Sequence, residues 1–316
     1  MVAAAPAESH DGRNGQKTAA RGGEHAESEA DLAAAQRAAG IANWISQIEA
    51  DLGDADIELP VLPGVAAEVL SLTGDDAASV GRLAQLIKQD QSLASHVLRI
   101  VNSPAYRGAH EIVALQQAIT RLGMGRVSEI ALAIALSGTA FEPGPYAGLA
   151  DDAWSLALST GLWGKEVARV ARANVEIAYL CGLLHNVGAS LALQRLVANL
   201  KDTPAPADSI AAEVLVATTA PAGTILAAHW ALPQPVRYVI EHLGDELADE
   251  QLDQTLAITQ CAVWIARLDA KTGFTESRAE ELLAEAAPEF LNLYPDDISN
   301  LIETAPQVRA AVEAMS

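Results

Sequence analysis

The sequence predicts an all-α protein, and three observations carry that prediction. Hydrophobic residues make up 50% of the chain but aromatics only 4%, so alanine and leucine must do most of the packing, and alanine gives up no side-chain entropy on entering a helix. Segment after segment opens on a capping residue and carries apolar positions at three- and four-residue spacing. No run alternates apolar and polar residues with the period of two that a half-buried strand requires.

Residues 1–30 hold Ala, Gly, Glu and His in no periodic order and read as a disordered tail. His10 and His25 lie in it without partner ligands. A helix is expected over 31–56. Leu59-Pro60-Val61-Leu62-Pro63 reads as an extended lead-in, since a residue before proline avoids the α region. Ser79 is placed to cap Val80–Gln89, and Asp90 to cap the helix whose stripe is Leu93, Val97, Leu98 and Val101. Asn102-Ser103-Pro104 ends that helix. Leu115–Leu122 follows and stops at Gly123, and a long helix runs from about Gly125 to Ala140. Beyond Pro143 and Pro145, Asp151–Ala173 reads as one helix and Asn174 caps Val175–Asn186. Asp208 is placed to cap Ser209–Thr218, and Pro233 and Pro235 open a helix ending at Gly244. The remainder reads as Gln251–Leu268, then Ser277–Ala287 with a capping-box spacing from Ser277 to Glu280, then Pro295–Glu303 and Gln307–Met315.

Charge narrows the partners. Lys and Arg number 20 against 41 Asp and Glu, a formal net charge of −21. A phosphate backbone needs a basic footprint, so nucleic acid is disfavoured, and an anionic lipid surface for the same reason. Residues 241–316 hold 16 acids against Arg267, Lys271, Arg278 and Arg309, a net −12. This concentration is expected to mark residues 251–316 as a separate acidic helical subdomain, either solvated or used for docking. Cys181 and Cys261 are isolated core-type residues, which favours a reducing cytoplasm. No secretory signal pattern is visible, and the most apolar helix, Ile130–Leu136, is far short of the roughly 20 residues of a membrane span.

Most catalytic motifs fail. Gly123-Met124-Gly125 lacks a preceding strand and a third glycine, so it is a turn between helices. The pairs Asp75/Asp76, Asp151/Asp152 and Asp296/Asp297 fall at expected helix starts, where carboxylates complement the dipole. Gly182-Leu183-Leu184-His185-Asn186-Val187-Gly188 is more informative. A histidine and a polar residue at the end of an apolar helix resemble the His-Asp step of HD phosphohydrolases. With Leu59–Pro63, Ile87 through Asn102-Ser103-Pro104, Ala118-Ile119 through Leu122-Gly123, Trp154, Glu213, Gly223, Trp230-Ala231-Leu232-Pro233 and His242, the chain over 57–250 is similar to the HDOD family. The resemblance implies an HD-like helical bundle with an N-terminal helical layer and a C-terminal helical extension.

Matched position by position, the resemblance puts Leu156 at the first metal histidine and Asn186 at the aspartate after His185. It puts Thr219 at an additional histidine and Val263 at the final aspartate. An amide offers a divalent cation one weak neutral oxygen, and Leu and Val offer nothing. The expectation is therefore no catalytic residue, no metal and no cofactor. A metal site rebuilt from His185, His229 and His242 would need an acid partner, and none stands at metal-ligand spacing. What the family implies is bacterial signal transduction through a sensor kinase, a response regulator or a cyclic-di-GMP enzyme, with self-association possible. Asn102, Ser103, Pro104, Tyr106, Arg107 and His242 are the candidate interaction residues. Two other uses of the cleft stay open: a sensor that binds a small molecule or nucleotide, and a phosphohydrolase with unorthodox ligands.

Overall fold

The computed structural model describes residues 15–72, 80–106, 108, 110–137, 144–201, 203–247 and 251–316. Side chains at 15–31, 33, 71–72, 80–84 and 251–252 fall outside that description, as do Arg107, His10, Ser79 and the pair Asp75/Asp76. Among the described residues every regular element is a helix.

The first helix, α1 (Gly15–Leu52), already includes residues 15–30, which the sequence assigns to a tail. Alanine, glutamate and arginine are good helix formers even without an apolar stripe, and the lack of periodicity hid them. Among the described side chains, the anchoring of α1 runs along its second half: Ile48 and Leu52 are buried, Asn199 donates to Asp51 at 2.7 Å, and Arg37 pairs with Glu213.

Five helices form the N-terminal layer: α2 (Gly64–Leu72), α3 (Val80–Gln89), α4 (Gln91–Val101), α5 (Leu115–Leu122) and α6 (Met124–Ser137). Local signals explain their ends. Asp90 accepts the Leu93 amide at 3.0 Å, and Gly123 closes α5 at φ +83°, a conformation cheap only for glycine. The second layer is α7 (Ala147–Val170), α8 (Val175–Leu184), α9 (Gly188–Leu200), α10 (Asp208–His229) and α11 (Gln234–His242). Asn174 caps α8 through the amides of Glu176 and Ile177, both at 3.0 Å. Helix α7 begins before Asp151, so Asp151 and Asp152 lie in its second turn rather than at its start.

The last part comprises α12 (Gln251–Thr272), α13 (Ala279–Leu283), α14 (Ala286–Phe290) and α15 (Pro295–Met315). It is not a subdomain apart. Helices α12 and α15 pack on α7, and their buried residues share one core with α4–α8. Most of the acids that set this stretch apart in sequence lie on its outer faces, although Asp253 and Asp269 are buried, while Ile258, Ile265, Ile298 and Leu301 point inward. A smaller second core joins α1, α9 and α10.

Three sequence boundaries are corrected. Helix α10 runs through Pro221 to His229, with Asp208 in its first turn rather than at its cap, and α15 runs through Pro306. Both prolines are exposed, so the backbone carbonyl each leaves unmatched lies on the solvent side. The Ser277 capping box is absent. Glu276–Arg278 is a 3₁₀ turn, and residues 279–290 split into α13 and α14. Two stretches, Val175–Leu200 and Asp208–His229, also reach membrane-span length and hydropathy, contrary to the sequence estimate. Val175–Leu200 is two helices of the packed interior rather than one, and α10 packs one face on α9 and α11.

Candidate functional site

Close helix crossings place the His185 segment. Gly182 in α8 lies against α7, where an added Cβ would come 2.7 Å from the Gly161 Cα. Gly188 opens α9 directly against α10, where an added Cβ would come 2.7 Å from the Gly223 Cα and closer still to the Thr219 carbonyl. These contacts hold the bend at 185–187 between α8 and α9, with His185 buried and Asn186 and Val187 half-buried.

His185 is buried, and its Nδ1 lies 2.7 Å from the Gly182 carbonyl oxygen. A carbonyl only accepts, so Nδ1 carries the proton and Nε2 the lone pair. Burial pushes the imidazole pKa down to about 4, the Gly182 bond opposes this, and Arg267 adds to it. His185 is therefore neutral at pH 7.

The other matched positions bring no ligand to it. Asn186 donates its amide to the Ala153 carbonyl at 2.8 Å. The Thr219 hydroxyl donates to the Leu215 carbonyl at 2.7 Å. Leu156 packs against the main core and Val263 is buried in it. Among the described residues no three His, Cys, Asp or Glu side chains converge; His229 is exposed and His242 half-buried. The residues present do not fit a divalent metal, so no hydrolytic step is derived from them.

The depressed His185 pKa gives a testable consequence. The folded-state value lies below the unfolded value near 6.5, so between pH 6.5 and 4 the unfolded chain takes up a proton that the folded chain refuses. Stability is unaffected above that window and falls through it by about 3 kcal/mol. Urea unfolding of wild type and His185→Gln at pH 7 and pH 4.5 is expected to show the steeper loss in wild type. Equal losses would remove His185 as the cause.

The candidate interaction residues separate into structural and exposed groups. Asn102 donates to the carbonyls of Leu98 (3.0 Å) and Ile112 (2.8 Å) and accepts the Ile112 amide at 2.8 Å. Its side chain is consumed in tying the end of α4 to residue 112. Pro104 is exposed, whereas the Ser103 and Tyr106 hydroxyls are buried with no partner among the described residues. Burial raises the Tyr106 pKa to about 12 against the pull of Arg126, whose guanidinium carbon lies 5.8 Å from the ring centre. His242 stacks on Tyr238 at 4.4 Å and holds Asp245 at 2.7 Å.

One feature escaped the sequence reading, and a second was named there without its walls. Beneath the Tyr106 turn, Lys165 of α7 is buried and paired with Glu129 of α6, while the Tyr179 hydroxyl donates to the Glu129 carbonyl at 3.0 Å. A lysine within the apolar stretch around Leu162 and Trp163 was the available signal. The second feature is a cleft beside Asn186, between α7, α8 and α9 and capped by Trp230.

The chain can now be set beside known proteins. The HDOD domain family matches residues 59–245, more than half its length. An uncharacterized protein of Treponema pallidum (strain Nichols) is 24% identical over 207 residues, which span 60% of this chain but only 38% of that protein. A structure from Shewanella amazonensis SB2B, provisionally described as a metal-dependent phosphohydrolase, superposes with TM-score 0.66 at 18% identity, covering 88% of this chain and 100% of that one. Another from Marinobacter aquaeolei VT8, provisionally described as a signal transduction protein, gives 0.58 at 21% identity, covering 87% and 66%. At these identities the likeness establishes the helical fold.

Proposed function

Because the chain belongs to the HDOD family, we propose that it is a non-catalytic bacterial signalling protein that acts by binding another signalling protein. A sensor kinase, a response regulator or a cyclic-di-GMP enzyme is the partner class, and the cytoplasm is the compartment. The observation that supports this reading best is the fate of the HD positions. Leu156 packs against the core and Val263 within it, Asn186 and Thr219 donate to backbone carbonyls, and His185 stands alone. Loss of even an outer-shell partner typically lowers metal affinity about 10–100-fold, and here ligands themselves are replaced. The signalling description of the Marinobacter aquaeolei protein agrees with this reading, while the phosphohydrolase description of the Shewanella amazonensis protein requires ligands that these positions lack.

The docking surface is the outer side of α12–α15, whose inner side is core. Glu280, Glu281, Glu289, Asp296, Glu303 and Glu313 are solvent-facing or partly so, against few cations. A basic partner face complements it, and charge of this kind sets association rate and selectivity more than affinity.

The test has two arms on one preparation. Incubated with Mn²⁺ and bis(p-nitrophenyl) phosphate, the protein is expected to show no turnover, and His185→Ala no change. Captured from cells, it is expected to retain one of the three partner classes. Raising salt from 0.1 M to 1 M should weaken that complex, because the screening length falls from about 10 Å to about 3 Å. Stoichiometric metal with turnover that disappears in His185→Ala would overturn the reading.

A further inference from the structure

We propose that the cleft beside Asn186 binds a small uncharged aromatic molecule carrying one hydrogen-bond donor. This site is independent of the docking surface and of any metal chemistry. The enclosed part of the cleft is small, about 70 Å³, and it opens into a wider mouth, so a planar guest of one or two rings would sit partly in that mouth. Trp154 and Trp230 both line it, and Leu136, Leu183 and Leu193 supply further apolar wall. Trp230 is fixed in place by its Nε1–H, which donates to the Pro60 carbonyl at 2.7 Å, so part of the wall is preformed. Rigid indole faces favour a planar guest by offset or edge-on stacking.

The polar end of the guest follows from what remains unspent. Asn186 lines the cleft and commits its Nδ2 to Ala153, while its Oδ1 has no partner among the described residues. Ser190, also in the lining, gives its hydroxyl proton to the Val187 carbonyl, leaving its oxygen as an acceptor. Two acceptors at an apolar cleft call for an N–H or O–H on the guest.

Charge excludes the obvious alternatives. None of the lining side chains is a Lys, Arg, Asp or Glu. A nucleotide phosphate or a carboxylate would lose its hydration here without a counter-charge, in a protein whose net charge of −21 repels anions. The cleft thus reverses the chemistry expected of a phosphohydrolase site: it selects against the anions that a metal centre would attract.

Indole and indole-3-acetate are the probes, since they differ chiefly by a charged arm, and naphthalene is the donor-free control. Calorimetry on the full chain is expected to give saturable one-to-one indole binding with Kd on the order of 100 μM, given nine heavy atoms. Indole-3-acetate should bind at least about tenfold more weakly. Ala153→Leu, which grows into the cleft, should abolish indole binding without lowering Tm. Asn186→Leu should weaken indole about tenfold and leave naphthalene unchanged, because only indole has a donor to lose its acceptor. The comparison of the two probes on wild type needs no variant to fold. No saturable indole binding, equal binding of indole-3-acetate, or retention of binding in folded Ala153→Leu would each overturn the proposal.

Discussion

Glu129→Ala is expected to cost about 3–5 kcal/mol, because it strands the Lys165 ammonium in the protein interior. The two residues are unequal partners: the Lys165 side chain is 2% exposed and the Glu129 side chain 12%. Burial is the main influence on Lys165 and pulls its pKa down, and the Glu129 carboxylate pulls it back up. Without Glu129 only the downward pull remains. The folded-state pKa of Lys165 then falls further below its unfolded value. The variant's deficit should therefore shrink as pH rises from 7 toward 10, where the unfolded chain still holds a proton that the folded chain has given up. Lys165→Met should cost less than Glu129→Ala, because Glu129 lies nearer to water. The double variant Glu129→Leu/Lys165→Met should return close to wild type, since apolar replacement of a whole buried pair is often neutral. A four-corner cycle of urea melts on wild type, Glu129→Leu, Lys165→Met and the double variant measures this. Simple additivity of the two single changes would show that the pair is not coupled.

That pair also decides how far the sequence could be read. Caps were legible because they are local: Asp90 and Asn174 act on amides two or three residues away. The HD-like bundle was legible because its signature residues keep order and spacing over 59–245. Lys165 and Glu129 lie 36 residues apart and Trp230 and Pro60 lie 170 apart, so neither the ion pair nor the cleft has a local pattern. Composition misled twice. A concentration of acids suggested an independent unit in 251–316, yet most of that charge lies on the outer face of helices whose inner face completes the main core. Helix ends were expected at Thr218 and Glu303, shortly before Pro221 and Pro306, yet an exposed proline removes one hydrogen bond and α10 and α15 continue past it. For the candidate interaction residues, sequence could name Asn102 but not show that all its bonding goes to its own backbone.

The glycine crossing beside His185 carries the second large effect. Gly188→Ala is expected to destabilise the protein by about 3 kcal/mol or more, at the upper end of overpacking costs. The new methyl would lie inside contact distance of the Thr219 carbonyl and the Gly223 amide, and 2.7 Å from the Gly223 Cα. Those atoms are backbone, so no rotamer change can relieve the clash and α9 must move from α10. Gly223 is itself tightly packed, since a Cβ added there would come 2.8 Å from the Ile240 methyl of α11. The strain reaches the cleft, since Ala189 and Ser190 directly follow Gly188 in its wall. Gly148→Ala is the control: nothing lies within 4 Å of a Cβ added there, and alanine in place of glycine within a helix should add up to about 1 kcal/mol of stability. Thermal and urea melts of the two variants should therefore move in opposite directions. A Gly188→Ala protein as stable as wild type would mean that α9 and α10 do not cross as closely as the structure places them, and the bend that carries His185 and Asn186 would lose its physical explanation.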